Sequence, residues 1–486
     1  MKHWRIIDTV RLPRLVAFTA IACSACTPGP DYVRPAVETP ATYRFAGGTM
    51  PTVAGGTLAT VPDWWRGFGD AELDALVSEG LIANNDLRIA TARVDEFAAR
   101  VTAVRAQGLP VVGYGVGASR QKASRASVPL PPGVGTISES YSAVLSASWE
   151  LDLWGRIRRE NEAARADLLA TEQARLGVAL TLVSATVSGY VTLLDLDRRL
   201  EIAQATLDGR KHNVEVFQQR LDGGAVSEFE MMQVVAEYET AVAAIPELRR
   251  AIGQQEDALS VLIGRNPGPI RRGRSLQTLV APPVPSGLPS DLIARRPDIL
   301  QSEQQLVATN ALVGAARARY FPTISLTGAG GQASRSLGDL FTGPARTWSF
   351  AGDLFGPLFA GGAIDAQNRQ AEARREQALA AYRQAVQSAF RDVDDALIAI
   401  QSSRDLVASL MRRVEALQRA VELARYRYDN GYTDYLEVLD TERSLFSAEL
   451  SLSEARGSGF RSLVDLYTAL GGDWVGQAVD ARVSRQ

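Results

Sequence analysis

RLDGGAVSEFEMMQ at residues 220–233 returns as RYDNGYTDYLEVLD at residues 427–440. The pair lies within a longer repetition, in which residues 157–264 recur as residues 364–471 at a constant offset of 207 and without a gap. Arg220, Asp222, Gly224 and Glu230 fall on Arg427, Asp429, Gly431 and Glu437, while Ile157, Asn161, Ala164 and Gly264 fall on Ile364, Asn368, Ala371 and Gly471. Further upstream the copies match at an offset of 212, with Asp86, Pro110 and the Gly-rich run after it mirrored by Asp298, Pro322 and the run that follows. The five-residue change in offset belongs to the segment between, where a loop can absorb it. A chain of 486 residues ordinarily suggests two or three domains, but two half-copies of this length can build one duplicated body.

Outward from the repeated turn, the periodicity is that of long helices. Tyr382, Val386, Ala389, Val393, Ala396, Ile400, Val407, Leu410, Val414, Leu417, Val421, Ala424 and Tyr428 step by four and three, with Ser403 the one polar interruption, as in a coiled-coil seam. Shifted back by 207, the seam continues through Leu193, Leu196, Leu200, Ala203, Leu207, Val214, Phe217 and Leu221. No proline interrupts residues 157–221 or 364–428, so each copy supplies roughly 98 Å of helix at 1.5 Å per residue. The turns Asp222-Gly223-Gly224 and Asp429-Asn430-Gly431 end these helices, and Ser227 and Asp434 suit the N-caps of the helices that follow. Two long antiparallel hairpins result.

Between the helical parts the period changes to two. Val112, Tyr114, Val116 and Ala118 alternate with glycines, and Tyr141, Ala143, Leu145, Ala147, Trp149 and Leu151 oppose Ser142, Ser146, Ser148, Glu150 and Asp152. The second copy supplies Ile324, Leu326 and Gly328, then Trp348, Phe350, Gly352 and Leu354 opposite Ser349, Ala351 and Asp353. An apolar face backed by a small polar one fits a membrane β-barrel with a wet lumen. Four strands cannot close such a barrel, because a strand in a bilayer must leave no free edge, so several chains must share it. Transmembrane helices are excluded on the expectation that no apolar run near 18 residues follows the leader.

The bulk properties remove most enzyme chemistry. The net charge of -3 includes a leader in which Lys2, Arg5, Arg11 and Arg14 outnumber Asp8, leaving about -6 on the mature chain with acid and base interspersed. Nothing in that balance points to nucleic acid. His212 is the only histidine after the leader and Cys23 and Cys26 are the only cysteines, which leaves no material for a histidine-based triad, a thiolate metal cluster or a disulfide framework.

Residues 1–25 form a secretory leader, with a basic start, an apolar stretch from Leu15 to Ala22 and Ser24-Ala25 before Cys26. This arrangement resembles the lipobox of bacterial lipoproteins, which implies diacylglycerol and N-acyl lipid on Cys26. Cys23 is the rival site, and an ordinary cleaved leader is the plain alternative.

LPSDLIARRPDI at residues 288–299 is joined by GPDYVRP at residues 29–35, Trp64-Trp65 before FGDAELDALV, Tyr320-Phe321-Pro322, and ALGGDW at residues 469–474. Together these resemble the TolC-like outer-membrane efflux factors, in the lipoprotein (NodT-type) branch that serves RND tripartite systems. The resemblance spans nearly the whole mature chain. It implies a mainly α fold with a membrane β-barrel part: a homotrimer whose duplicated helical hairpins form a periplasmic α-barrel and whose chains give four strands each to a shared 12-stranded barrel. Along the chain the expected order is leader 1–25, a lipidated extension and equatorial segment at 26–84, a first repeat at 85–284, a second at 285–474, and a tail at 475–486. The first repeat holds a helix, a β-hairpin at 111–153, a helical hairpin at 156–264 and an equatorial linker at 265–284. The second holds a helix, a β-hairpin at 322–356 and a helical hairpin at 361–471.

The family's hairpin tips are both gate and docking surface for a periplasmic adaptor. Carried over, Leu436, Asp440 and Arg443 match positions that constrict the periplasmic mouth, with Glu437 beside them, while Gly224, Ser227, Gly431 and Thr433 belong to the adaptor-docking tips. An aspartate repeated around an axis makes an acidic ring that nearby arginines can hold shut. Asp440 and Arg443 stand i and i+3 and can pair within a chain or between chains; a solvated helical pair of that kind is worth less than about 1 kcal/mol. Extending the seam through Leu436 and Leu439 places Arg443 where an apolar residue belongs, and Gln233 replaces Asp440 in the first copy. The implied function is an outer-membrane exit duct for small toxic compounds or drugs. It works with an adaptor and an inner-membrane RND-type pump, needs no metal or cofactor beyond its lipid, and performs no catalysis. Alternatives are a duct for type I protein secretion and a structural coiled-coil lipoprotein without a pore.

Overall fold

The computed structural model describes residues 28–45, 63–124, 126, 135–283 and 289–471. After a 3-10 turn at Trp64–Phe68 come helices α1 (Ala71–Ala83) and α2 (Asn85–Ala106), strands β1 (Val111–Lys122) and β2 (Ile137–Leu151), and helices α3 (Arg156–Asp222) and α4 (Glu228–Leu262). The second half gives α5 (Pro289–Arg295), α6 (Pro297–Ala318), β3 (Thr323–Ser334), β4 (Arg346–Phe355), α7 (Ala363–Asp429) and α8 (Tyr435–Ala469), with two short 3-10 turns between β3 and β4. Helices α3 and α7 have 67 residues each, and α4 and α8 have 35 each. Their bounds keep the 207-residue offset at both ends, and α2 and α6 keep the 212-residue one.

The backbone repeats as strictly as the sequence. Gly155 and Gly362 (φ 75° and 82°), Gly224 and Gly431 (73° and 71°), and Gly264 and Gly471 (85° and 56°) are three pairs of left-handed glycines at equivalent positions. Each precedes or ends a long helix, where a side chain at positive φ would be strained.

The chain divides into two compact units that cut across the boundary between copies. Residues 28–36, Val94–Thr171 and Ser302–Tyr382 form the first; Val37–Arg93, Glu172–Gln301 and the chain from Arg383 form the second. In the first unit the strands make one antiparallel sheet in the order β1-β2-β3-β4, with β1 and β4 at its edges. The register confirms the two-faced pattern: Tyr114 lies opposite Leu145, Leu145 opposite Gly330, and Gly330 opposite Trp348. The reverse side carries Gly113, Ser146, Ala329 and Ser349 in one row.

In the second unit the seam is packed. Tyr382 closes the first unit's share of it, and Val386, Ala389, Val393, Ala396, Ile400, Val414, Val421 and Ala424 are all buried. Trp64 stacks on Tyr467 with centroids 4.7 Å apart, and Asp70, itself buried, caps α1 while accepting hydrogen bonds from Tyr190 Oη (2.9 Å) and Arg274 N (2.8 Å). One expectation is corrected here. Residues 176–194 carry no charge, and an 18-residue window in α3 reaches a mean hydropathy of 1.7, long and apolar enough to cross a membrane. Half of that window is buried, with Ala179, Leu182, Val183, Val187, Tyr190 and Val191 in the core of the second unit, which accounts for its apolarity without a bilayer.

Candidate functional site

Helix α3 unwinds at Gly224, whose N–H bonds Leu221 O at 2.9 Å, while Ala225 N bonds Arg220 O at 2.8 Å. Ser227 then caps α4 through a reciprocal box, its Oγ accepting from Glu230 N at 3.2 Å and the Glu230 carboxylate accepting from Ser227 N at 2.8 Å. The second turn copies the first at the glycine: Gly431 N bonds Tyr428 O, and Tyr432 N bonds Arg427 O, both at 2.9 Å. It departs at the cap, because Asp434 makes no side-chain cap bond, contrary to the sequence reading. Thr433 Oγ1 instead donates to Glu437 at 2.5 Å, and Arg427 pairs with the same carboxylate at 3.4 Å, so the acid of the first turn is held from the chain before it.

A small core ties the turns of both hairpins together. Phe217, Met231, Val234, Ala424, Tyr435, Val438 and Leu439 form one buried cluster, with Phe217 and Tyr435 ring centroids 4.2 Å apart. Arg220 donates to Tyr428 Oη at 3.1 Å across the copies.

This packing decides which face α8 presents. Tyr435, Val438 and Leu439 point into the cluster, whereas Leu436 is 53% exposed, Asp440 is exposed and the Arg443 side chain is 60% exposed. At steps of four and three, Leu436, Asp440 and Arg443 make one stripe on the open side. Arg443 therefore does not occupy a buried seam position, as the sequence suggested. Glu442 takes the inward place, its carboxylate 2.6 Å from Arg425, so the seam ends in an ion pair.

Within one chain the pairing differs from the i, i+3 expectation. Arg443 binds Glu237 of α4, with Nη2 2.5 Å from Oε1, and not Asp440. Arg210 of α3 holds the other oxygen of Glu237 at 3.0 Å and donates to the Glu237 carbonyl at 2.5 Å. The shielded Glu237 carboxylate, 12% exposed, attracts a cation more strongly than an exposed aspartate does in water. The Glu237 hydrogen bond in turn raises the Arg443 pKa, while burial lowers that of Arg210 against the pull of Glu237 and Glu442. Neither Arg210 nor Glu237 was singled out from the sequence. The signal was there, since Arg210 interrupts the first-copy seam where the second copy has Leu417.

In the first unit the chain after the leader is a fitted strap. Gly29, at φ 117°, lies on Gly314, where a Cβ would meet the Pro28 carbonyl at 2.9 Å. Asn310 donates to Pro30 O at 2.9 Å, Asp31 pairs with Arg159 at 2.7 Å, and Tyr32 and Arg34 both donate to Glu303, at 3.1 and 2.7 Å. Gly29, Pro30, Asp31, Tyr32 and Arg34 of the GPDYVR run thus each have a partner, while Val33 is exposed, and those contacts give the run a structural reason. Cys26 and Cys23 lie outside the described residues, as do the leader and the 475–486 tail.

A sheet with one apolar and one wet face and two open edges, in a chain that also forms long helical hairpins, defines a protomer of a membrane channel that is complete only with further copies. Residues 76–265 and 288–472 match the family described as outer membrane efflux protein, and the chain belongs to that family. It is 32% identical to the cation efflux system protein CusC of Escherichia coli over 94% of this chain and 97% of that one. It is 35% identical to the outer membrane protein OprJ of Pseudomonas aeruginosa over 94% of each. The open-state MtrE outer membrane channel of Neisseria gonorrhoeae superposes with a TM-score of 0.82 at 32% identity, covering 92% of this chain and 98% of that one. The chain is an outer-membrane efflux channel component that extends into the periplasm, as the resemblance implied.

Proposed function

We propose that three copies of this chain form the exit duct of a tripartite pump and that the α8 stripe is its periplasmic gate. The observation that carries the gate is the exposure of Leu436, Asp440 and Arg443 on one face while Tyr435, Val438 and Leu439 anchor the other. Three such stripes around an axis set an apolar constriction at Leu436 beside an acidic ring at Asp440, which favours cations. Glu437, tied to Thr433 and Arg427, fixes the start of the stripe. The turns at Gly224, Ser227, Gly431 and Thr433 offer a periplasmic adaptor small residues where helices can approach closely. Lipid on Cys26 anchors the strap to the membrane. The inner-membrane RND-type pump supplies the energy and selects small toxic compounds as cargo; the duct itself catalyses nothing.

Planar-bilayer conductance of the purified protein beside Asp440→Ala and Arg443→Ala tests this. Small wild-type conductance that rises in either variant supports the gate. Folded trimers whose conductance is the same in all three place the constriction elsewhere.

A further inference from the structure

The outward face of the sheet is apolar for most of its height and then changes character at one end only. On β1 the series Val112, Tyr114, Val116, Ala118 gives way to Arg120 and Lys122; on β4 the series Leu354, Gly352, Phe350, Trp348 ends in Arg346. The register places all of these on the same side, because Arg120 lies opposite Glu139 and Arg346 opposite Gln332, in the phase that pairs Tyr114 with Leu145 and Gly330 with Trp348. Glu139 is the one carboxylate among these outward strand positions, and it pairs with Arg120 at 3.2 Å. Three cations therefore face one anion at this rim. At the other end, where α2, α3, α6 and α7 join the strands, the outward positions are Trp149, Leu151, Ile324 and Leu354, with no charge. Belts that merely let charged tips reach water occur at both interfaces, so a belt at one rim answers something particular to that side.

We infer that Arg120, Lys122 and Arg346 form a cationic collar that binds the phosphate groups of phosphorylated glycolipid headgroups in the outer leaflet. The rim away from the helices is the outer one, since the helices occupy the periplasm. Arginine and lysine on a lipid-facing surface favour phosphate oxygens, arginine through two parallel N–H bonds. The apolar residues directly below, Trp348 and Phe350 on β4 and Val116 and Tyr114 on β1, give the acyl chains of the same lipid their surface. The free edges of β1 and β4 add to this. Barrel closure pairs β4 of one copy with β1 of the next, so each seam between copies carries Arg346 on one side and Arg120 with Lys122 on the other. Lipid bound there holds the seam.

This inference rests on reading the sheet as one third of a closed barrel. The test uses the full-length protein in detergent and follows the temperature at which the trimer dissociates on a denaturing gel. The probes are diphosphoryl lipid A, the same lipid without phosphates, and inorganic phosphate alone. The wild type should gain several degrees with the diphosphoryl lipid only. Arg120→Gln/Lys122→Gln/Arg346→Gln should lose that gain, and Lys122→Gln alone should lose part of it, which keeps the test open if the triple variant assembles poorly. An equal gain from the dephosphorylated lipid, the same gain from inorganic phosphate, or a full gain in both variants overturns the collar. Monomer in place of trimer both with and without the diphosphoryl lipid would instead overturn the shared barrel.

Discussion

Arg443 and Glu237 meet across the two hairpins of one chain, 2.5 Å apart, and Glu237 is held from behind by Arg210. The gate-stripe arginine is thus anchored to the neighbouring hairpin, and Asp440 acts on it only through its charge. Glu237→Gln should raise channel conductance about as much as Arg443→Ala does. It should also cost about 3 kcal/mol of stability, because buried Arg210 loses its paired anion and keeps only the pull of Glu442. Arg443→Ala, at an exposed position, should cost less than about 1 kcal/mol. Conductance that rises in Arg443→Ala and stays at the wild-type level in Glu237→Gln would show that Glu237 has no part in the gate.

Arg210→Leu copies what the second half of the chain already does with Leu417. In the Glu237→Gln background it should restore most of the lost stability, since a buried pair replaced by apolar or neutral groups is often neutral or better. It should leave the raised conductance unchanged. Thermal dissociation and conductance measured on the same preparations separate the two effects.

The caps should respond unequally although the turns are duplicates. Ser227→Ala removes a reciprocal capping box and should destabilise the start of α4 by about 1 kcal/mol. Asp434→Ala removes no cap bond and should fall within about 0.5 kcal/mol of the wild type. Amide exchange in the first turns of α4 and α8 reports each effect locally, and equal losses at both would contradict the asymmetry.

The helices, strands and turns were legible because duplication shows each one twice, and because periods of 3.5 and 2 survive in alternating residues such as Val393/Ala396/Ile400 and Tyr141/Ala143/Leu145. The ion pairs were not. Whether Arg443 meets Asp440 on its own helix or Glu237 some 206 residues away depends on how the hairpins are packed, which local periodicity does not specify. Asp434 shows the same limit at short range: its residue type suits an N-cap, yet Thr433 and Arg427 secure Glu437 instead. The uncharged 176–194 stretch was missed for another reason, since its small and hydroxylated residues hide a continuous apolar window inside a helix read mainly for its seam.

The two sheet faces should differ in what they tolerate. Phe350→Arg places a cation on the apolar side opposite Gly328 and should cost roughly 2–4 kcal/mol, by the known penalty for a cation at the membrane midplane. Ser146→Arg puts the same charge on the wet side opposite Gly113 and Ala329 and should assemble nearly normally. Yields of heat-resistant trimer in the membrane fraction compare them directly, and equal loss in both would mean that the faces are assigned wrongly.

Asp195 gives a pH dependence with a definite sign. Its carboxylate is buried in α3, accepts from Ser453 Oγ at 2.6 Å and lies 3.9 Å from Arg199, and α8 comes so close that a Cβ on Gly457 would stand 3.2 Å from the Asp195 Cβ. Burial raises its pKa; the Ser453 bond, Arg199 and Arg461 oppose that shift and Glu454 adds to it. In the unfolded chain the group ionises near about 3.9. Below that value both states keep the proton and Asp195 carries no penalty. As pH rises through the raised folded value, the unfolded state has already released its proton, so unfolding gains and stability falls until both forms are ionised. Asp195→Asn keeps an oxygen for Ser453 and removes the charge. It should therefore be more stable than the wild type at neutral pH, with the advantage shrinking as pH falls toward about 4. Dissociation temperatures of the two proteins across that range decide the matter: an advantage that does not change with pH, or an Asn variant less stable at neutral pH, would mean that the buried carboxylate is held ionised by its arginines at no net cost.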